Sequence, residues 1–259
     1  MPVFDRIRGV IRLIRVFFYT GRTMVYTLWR VNHGASIAEG LEIRRVWSAG
    51  FVRRLGFHIE WEGQIPEHDA CLYVGNHRCS VDPQVVMARL KAYPVSRAEV
   101  RKWPFVGKGS AATGIIFVDK ANRESRLRAK TALLEELRKG HSVLIFPEGQ
   151  TNVKPLTSTF NKGSFEQAAS GLFPVVPFVI EYKDTRDYWD HTDNFAVHLI
   201  KRFGKKQTPV KVAFGPQIVA DNAWTLLRSS QQWIDEKITE IRTEWDSTTK
   251  KVPTVNVSE

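Results

Sequence analysis

Residues 71–83 read Cys71-Leu72-Tyr73-Val74-Gly75-Asn76-His77-Arg78-Cys79-Ser80-Val81-Asp82-Pro83. The apolar run at 72–74 is a strand that ends at Gly75-Asn76-His77. Asp82-Pro83 then opens a helix, Asp being suited to the N-cap and Pro to the first helical position. His77 therefore lies on a strand-to-helix loop, where α/β proteins expose catalytic groups. A carboxylate five residues on can fold back to hold one imidazole nitrogen and stabilise its charged form. His77 and Asp82 are thus a candidate general base and its orienting acid.

Outward from this stretch the same texture continues. Short apolar runs at Phe57–Trp61, Cys71–Gly75, Pro94–Arg97, Gly114–Val118, Ser142–Phe146, Val175–Ile180, Phe195–Phe203 and Val210–Phe214 are expected as strands. Helical patterns alternate with them at Asp82–Leu90, Asn122–Arg138 and Asn222 to about Trp245. That alternation predicts an α/β fold: a mixed, mostly parallel sheet flanked by helices. The expected organisation is a helical module over 1–55, the α/β domain over 56–247 and a flexible tail over 248–259. No internal repeat or low-complexity segment interrupts it.

The chain has 259 residues and a formal net charge of +11, enough length for one large α/β domain and a small appendage. Ten arginines, no lysine and three acids in residues 1–55 leave about +7 of that charge there. A basic surface attracts polyanions of many kinds. There is neither zinc-ligand spacing nor a recognisable set of RNA-stacking aromatics, so nucleic acid is not the expected partner. Two cysteines, Cys71 and Cys79, are too few for a disulfide framework or a zinc site.

At about 100° per residue, Val3, Ile7, Val10, Ile11, Ile14, Phe17 and Phe18 fall within an arc of roughly 120°, with Arg8, Arg12 and Arg15 on another side. This is an amphipathic helix suited to the plane of a lipid surface, with its arginines toward anionic lipid. A second apolar segment, Met24–Val31, and a third, Ile37–Leu55, complete the helical module. No uninterrupted apolar run approaches the roughly 18 residues of a membrane span.

Two further segments end apolar strands: Gly114-Ile115-Ile116-Phe117-Val118-Asp119-Lys120 and Phe146-Pro147-Glu148-Gly149-Gln150-Thr151. With Asn76-His77 and Asp82 before them and Pro174-Val175-Val176-Pro177 after, the chain resembles the 1-acylglycerol-3-phosphate acyltransferase family of glycerophospholipid acyltransferases. That family's blocks are N-H-x-x-x-x-D, G-x-x-F-x-x-R, F-P-E-G-T and V-P-x-x-P. The resemblance covers roughly residues 55–215. It departs in two places: Lys120 stands where the family has Arg, with Arg123 three residues on, and Gln150 stands where it has Thr. Lysine binds phosphate as a point charge without the guanidinium fork.

The resemblance implies a glycerol-3-phosphate acyltransferase-like fold and a fatty acyl transfer from an acyl carrier protein or coenzyme A thioester to a lysophospholipid hydroxyl. The expected acceptor is 1-acylglycerol-3-phosphate, giving phosphatidic acid; Lys120 and Gln150 keep a larger-headed lysophospholipid or a lyso-aminolipid open. His77 and Asp82 are implied as catalytic, and Asn76, Gly114, Phe117, Lys120, Arg123, Glu148 and Gly149 as substrate-binding. Lys154 and Lys162 are supporting cations. Glu148 either meets an acceptor hydroxyl or holds its own loop. Backbone amides near Gly149 or Gly75 would serve the oxyanion. No metal or cofactor is implied. Cys79, at a variable position of the block, is not expected to carry an acyl group. The implied location is peripheral or monotopic, on the cytoplasmic face of the cell membrane among its phospholipids. A non-catalytic membrane-binding protein is the remote alternative.

Overall fold

The computed structural model describes residues 2–66, 70–102, 113–190 and 194–250. In chain order the elements are α1 (Val3–Asn32), α2 (Ile37–Leu55), β1 (Phe57–Glu62), β2 (Leu72–Gly75), α3 (Asp82–Met87), β3 (Tyr93–Arg97) and β4 (Ile116–Val118). They continue with α4 (Arg123–Arg138), β5 (Val143–Ile145), α5 (Gly163–Ser170), β6 (Val175–Tyr182), α6 (Phe195–Arg202), β7 (Thr208–Phe214) and α7 (Ala223–Lys250). Short 3-10 turns follow β3 and β6 at Ala98–Lys102 and Thr185–Asp187.

The strands form one seven-stranded sheet in the order β1-β7-β6-β2-β5-β3-β4. Neighbours run parallel except β6 and β7, so β1 and β7 oppose the other five. Side chains alternate across a strand, and β2 shows what that does to the core. Tyr73 packs with Val85 and Val86 of α3 and Phe51 and Leu55 of α2. Its neighbours Leu72 and Val74 pack with Leu133 and Leu137 of α4, Phe165 of α5 and Ile234 and Ile238 of α7. Covered on both faces, β2 places its carboxyl end, and hence His77, at the edge of a rigid layer.

One expected strand is a helix. Phe195–Phe203 carries an apolar run, yet Asn194 caps a helix there by accepting from the Val197 amide. Leu199 and Phe203, four residues apart, both enter the core with His198 beside them. The four-residue spacing puts both on one face of a helix. Expected breaks also vanish: 3–18 and Met24–Val31 are one continuous helix, with Thr23 and Thr27 bonded back to Tyr19 and Thr23 carbonyls. The helix α5 was not anticipated. At the far end α7 reaches Lys250, so the expected tail is helical at 248–250, and 251–259 lie outside the described residues.

The apolar side of α1 is turned outward as expected, but two of its arginines are engaged differently. Arg8 and Arg12 turn to the protein, whereas Arg15 is exposed. Arg12 Nη1 donates to the carbonyls of Phe203 and Lys205 at 2.6 Å each, and Arg8 Nη1 to that of Gly204 at 2.8 Å. These carbonyls close the C-terminal end of α6, where cations are favoured. Gly9 permits the approach, for a Cβ there would collide with the Ile200 carbonyl. Arg8 and Arg12 are therefore engaged within the protein. The opposite side, Val3, Phe4, Ile7, Val10, Ile11, Ile14, Phe17 and Phe18, is exposed. Among the described residues no helix is long and apolar enough to cross a membrane.

Candidate active site

Where β2 ends, its ladder is continued by a side chain. Asn76 Nδ2 donates to the Ile180 carbonyl and Asn76 Oδ1 accepts from the Ile180 amide, both at 2.9 Å. The fully buried Asn76 thus splices the loop onto β6, leaving its amide no free face for a substrate.

His77 follows with its imidazole stacked on Phe146, ring centroids 4.3 Å apart. Its Nδ1 lies 2.8 Å from Asp82 Oδ2. With Nδ1–H toward the carboxylate, Nε2 carries the lone pair and is the nitrogen able to accept a proton. Two more contacts fix the backbone: the His77 amide donates to Glu148 Oε1 at 3.0 Å, and the Asn152 amide to the His77 carbonyl at 2.7 Å.

Asp82 is not the N-cap of α3. Val81 takes that place, and Asp82 is the first helical residue, followed by Pro83. Its carboxylate turns back into the loop instead. Oδ2 accepts from the Arg78 and Cys79 amides at 2.6 and 2.7 Å as well as from His77, and Oδ1 accepts from the Tyr182 hydroxyl at 2.7 Å. Four donors hold this fully buried carboxylate in one position.

The third block contributes Glu148 and Gly149. Glu148 Oε2 accepts from Asn152 Nδ2 at 2.8 Å and from both the amide and hydroxyl of Ser158 at 2.8 and 2.7 Å. With Oε1 on His77, the whole carboxylate is engaged in holding loops together. Gly149 adopts a left-handed φ of 74°. A side chain there would strike Lys120, whose ammonium donates to the Gly149 carbonyl. The Gly149 amide is itself bonded to the Phe146 carbonyl at 2.9 Å, so it is not a free oxyanion donor.

The remaining candidates are spread more widely. Lys120 joins the second block to the third, its pKa lowered by burial and by nearby Arg97. Gly114 is buried at a φ of 70° under the Tyr93 ring, and its carbonyl accepts from Arg44 of α2 at 2.9 Å. Phe117 is partly buried beneath the Arg101 guanidinium. Arg123 is exposed on the first turn of α4. Lys162 pairs with Glu166 and lies over the Trp224 ring, and Lys154 is exposed.

Residues not anticipated from the sequence hold the site from behind. Arg78 is fully buried; Nε donates to Glu181 Oε2 at 3.0 Å and the remaining nitrogens to the carbonyls of Asn152, Lys154 and Pro155 at 3.0, 2.5 and 2.8 Å. Arg242 of α7 also donates to Glu181. A signal was present: Glu181 is the lone charge in the otherwise apolar or aromatic run of β6, and a buried charge calls for a partner. Cys79 is buried with Sγ 3.4 Å from His198 Nε2. Burial and the Asp82 charge push its thiol well above the ordinary range, which withholds the thiolate that covalent chemistry needs.

Three comparisons bear on this geometry. A family model described as Acyltransferase matches residues 57–181. A lyso-ornithine lipid O-acyltransferase of Rhodobacter capsulatus is 31% identical over 222 residues, covering 81% of this chain and 79% of that protein. A 1-acyl-sn-glycerol-3-phosphate acyltransferase of Neisseria meningitidis serogroup B is 25% identical over 185 residues, covering 70% and 69%. The crystal structure of the 1-acyl-sn-glycerophosphate acyltransferase from Thermotoga maritima superposes with a TM-score of 0.73 at 17% identity, covering 92% of this chain and 98% of that one. The last shows a shared fold; the first two reach across the blocks described above. The chain belongs to the acyltransferase family of the 1-acyl-sn-glycerol-3-phosphate acyltransferases and is an O-acyltransferase.

Proposed function

We propose that this enzyme moves a fatty acyl group from a thioester to the free hydroxyl of a lyso-lipid, with His77 as general base and Asp82 as its orienting acid. The observation that carries the reading is the 2.8 Å contact between His77 Nδ1 and an Asp82 carboxylate locked by four donors. As the lipid oxygen attacks the thioester carbonyl carbon, its proton passes to His77 Nε2, and Asp82 stabilises the imidazolium. The tetrahedral intermediate collapses by breaking the carbon–sulfur bond. The thiolate departs, and His77 can return the proton to it. None of these steps calls on a metal or a bound cofactor; acyl-CoA or acyl-ACP enters as a co-substrate.

The acceptor we put first is a lyso-aminolipid of the lyso-ornithine type. The Rhodobacter capsulatus relative bearing that name matches over more of its length and at higher identity than the Neisseria protein. Lys120 and Gln150 also stand where the 1-acylglycerol-3-phosphate pattern has Arg and Thr, and Lys120 already has a partner in the Gly149 carbonyl. The second acceptor, 1-acylglycerol-3-phosphate giving phosphatidic acid, is supported by the motif blocks themselves.

The exposed apolar side of α1 would seat the enzyme on the cytoplasmic leaflet, among phospholipids that hold its acceptor. Arg6, Arg15 and Arg22 remain exposed along that helix, and each cation near an anionic surface contributes about 1 kcal/mol. The test presents purified protein with acyl-ACP or acyl-CoA and with lyso-ornithine lipid or 1-acylglycerol-3-phosphate in vesicles, products being identified by mass. Acylation of lyso-ornithine lipid in preference, falling at least about 100-fold in His77→Ala, is expected. Acylation of neither lipid, or full activity in His77→Ala, overturns the reading.

A further inference from the structure

We propose that Tyr182 is a positioning residue of the acyl transfer: its hydroxyl fixes Asp82 and thereby sets how strongly the carboxylate holds the His77 imidazolium. The inference rests on the His77–Asp82 reading above and adds a residue from outside the four sequence blocks.

Three consecutive residues at the end of β6 each hold one residue of the catalytic loop. Ile180 takes the Asn76 amide through its backbone, Glu181 takes the Arg78 guanidinium, and Tyr182 donates to Asp82 Oδ1. A strand buried along its whole length is a rigid base for this. The two oxygens of Asp82 are treated differently. Oδ2 meets His77 and two backbone amides, which the loop itself supplies, whereas Tyr182 reaches Oδ1 from a separate element 100 residues away. Loss of that hydroxyl takes a donor from a fully buried carboxylate oxygen. It also leaves the negative charge less dispersed, so the imidazolium is held more tightly and His77 gives up its proton at higher pH. Burial, reinforced by the charge of Asp82, raises the Tyr182 phenol far above its ordinary range, so it stays a donor throughout the working range.

Other titratable groups face the pair. Cys79 comes from the loop, Glu148 from the third block, and Glu181, paired with Arg78 and Arg242, from β6. His198 comes from α6, and Asp187, paired with Lys205, from the turn after β6. Asp187 titrates in the same window, being pushed up to about 6 by burial. An Asp187→Asn background removes it.

The experiment records kcat against pH from about 5 to 8 for the full chain on vesicles, in the wild type and in the Asp187→Asn background. Tyr182→Phe is expected to lower kcat roughly tenfold and move the acid limb upward by about half to one pH unit. Site-specific 3-fluorotyrosine at 182, nearly isosteric and a stronger donor, is expected to move the limb downward; it carries the test if Tyr182→Phe does not fold. An acid limb unmoved by 3-fluorotyrosine overturns the proposal, whatever happens to kcat. Should His77→Ala keep its activity, the underlying reading fails; an inactive His77→Ala with unmoved limbs overturns the role of Tyr182 alone.

Discussion

The main-chain amide of His77 donates to Oε1 of Glu148 at 3.0 Å, so the carboxylate of the third block holds the backbone of the proposed base. Its second oxygen binds Asn152 and Ser158. Glu148→Gln would turn an amide NH2 toward at least one of these donors. Stability should fall by about 1–3 kcal/mol, and kcat should fall while KM for the lyso-lipid stays near its wild-type value. An acceptor-binding role predicts the reverse split, a raised KM, so steady-state kinetics on vesicles decides between the two roles the sequence left open.

Arg78 carries the next prediction. Its guanidinium meets Glu181 and three carbonyls of 152–155, and lies 4.8 Å from the Tyr188 ring. Burial raises the pKa of Glu181, with Arg78 and Arg242 opposing that rise. Arg78→Met removes one of those two cations and leaves the loop carbonyls without donors. A loss of about 3–5 kcal/mol is expected, or very roughly 10 °C in Tm. Arg78→Lys should recover only part of it, because an ammonium cannot span the same acceptors. Thermal unfolding of both variants is the measurement; equal Tm for wild type and Arg78→Met would remove this role.

These two residues mark what the sequence discloses. The local period was enough to place most of the strands and the motif loops, because β2 and β5 are apolar throughout, β6 is so but for Glu181, and all three are bounded by turn residues. His77 and Asp82 were legible since both lie on one loop, five residues apart. Arg78, Glu181, Tyr182 and Arg242 come together only once β6 lies beside β2 and α7 packs over the sheet, and no local pattern encodes that meeting. Phe195–Phe203 misled for a related reason: its short apolar run suits a strand as well as a helix, and the Asn194 cap together with burial of Leu199 and Phe203 decides for the helix. The amphipathicity of α1 was visible, but which side faces the protein depends on the α6 carbonyls that Arg8 and Arg12 find.

The exposed side of α1 gives a prediction that separates docking from folding. Phe4, Phe17 and Phe18 are 79%, 57% and 69% exposed, so the fold gains little from their burial. Changing all three to Ser should leave Tm near its wild-type value and weaken sedimentation with anionic vesicles at least tenfold, since burying each ring is worth about 1.5–3 kcal/mol. Arg12→Ala should do the opposite, lowering Tm by freeing the carbonyls of Phe203, Lys205 and Lys206. A triple variant that melts early but binds vesicles normally would place this face in the protein's own packing.

Asp187 yields a pH dependence whose sign is fixed by its surroundings. Its side chain is 2% exposed and pairs with Lys205, yet burial outweighs that cation and pushes the carboxyl up to about 6 from an ordinary 3.8. An acid with a raised folded pKa binds more protons folded than unfolded between those values. Its contribution is therefore fully present below about 4 and is lost as pH rises through about 6. Asp187→Asn has no such step. Denaturant unfolding at pH 4.5 and pH 7 should show the variant gaining on the wild type as pH rises, by up to roughly 2–3 kcal/mol. If the Lys205 pair outweighs burial instead, the variant loses ground over the same interval. The two accounts thus predict opposite signs in one measurement.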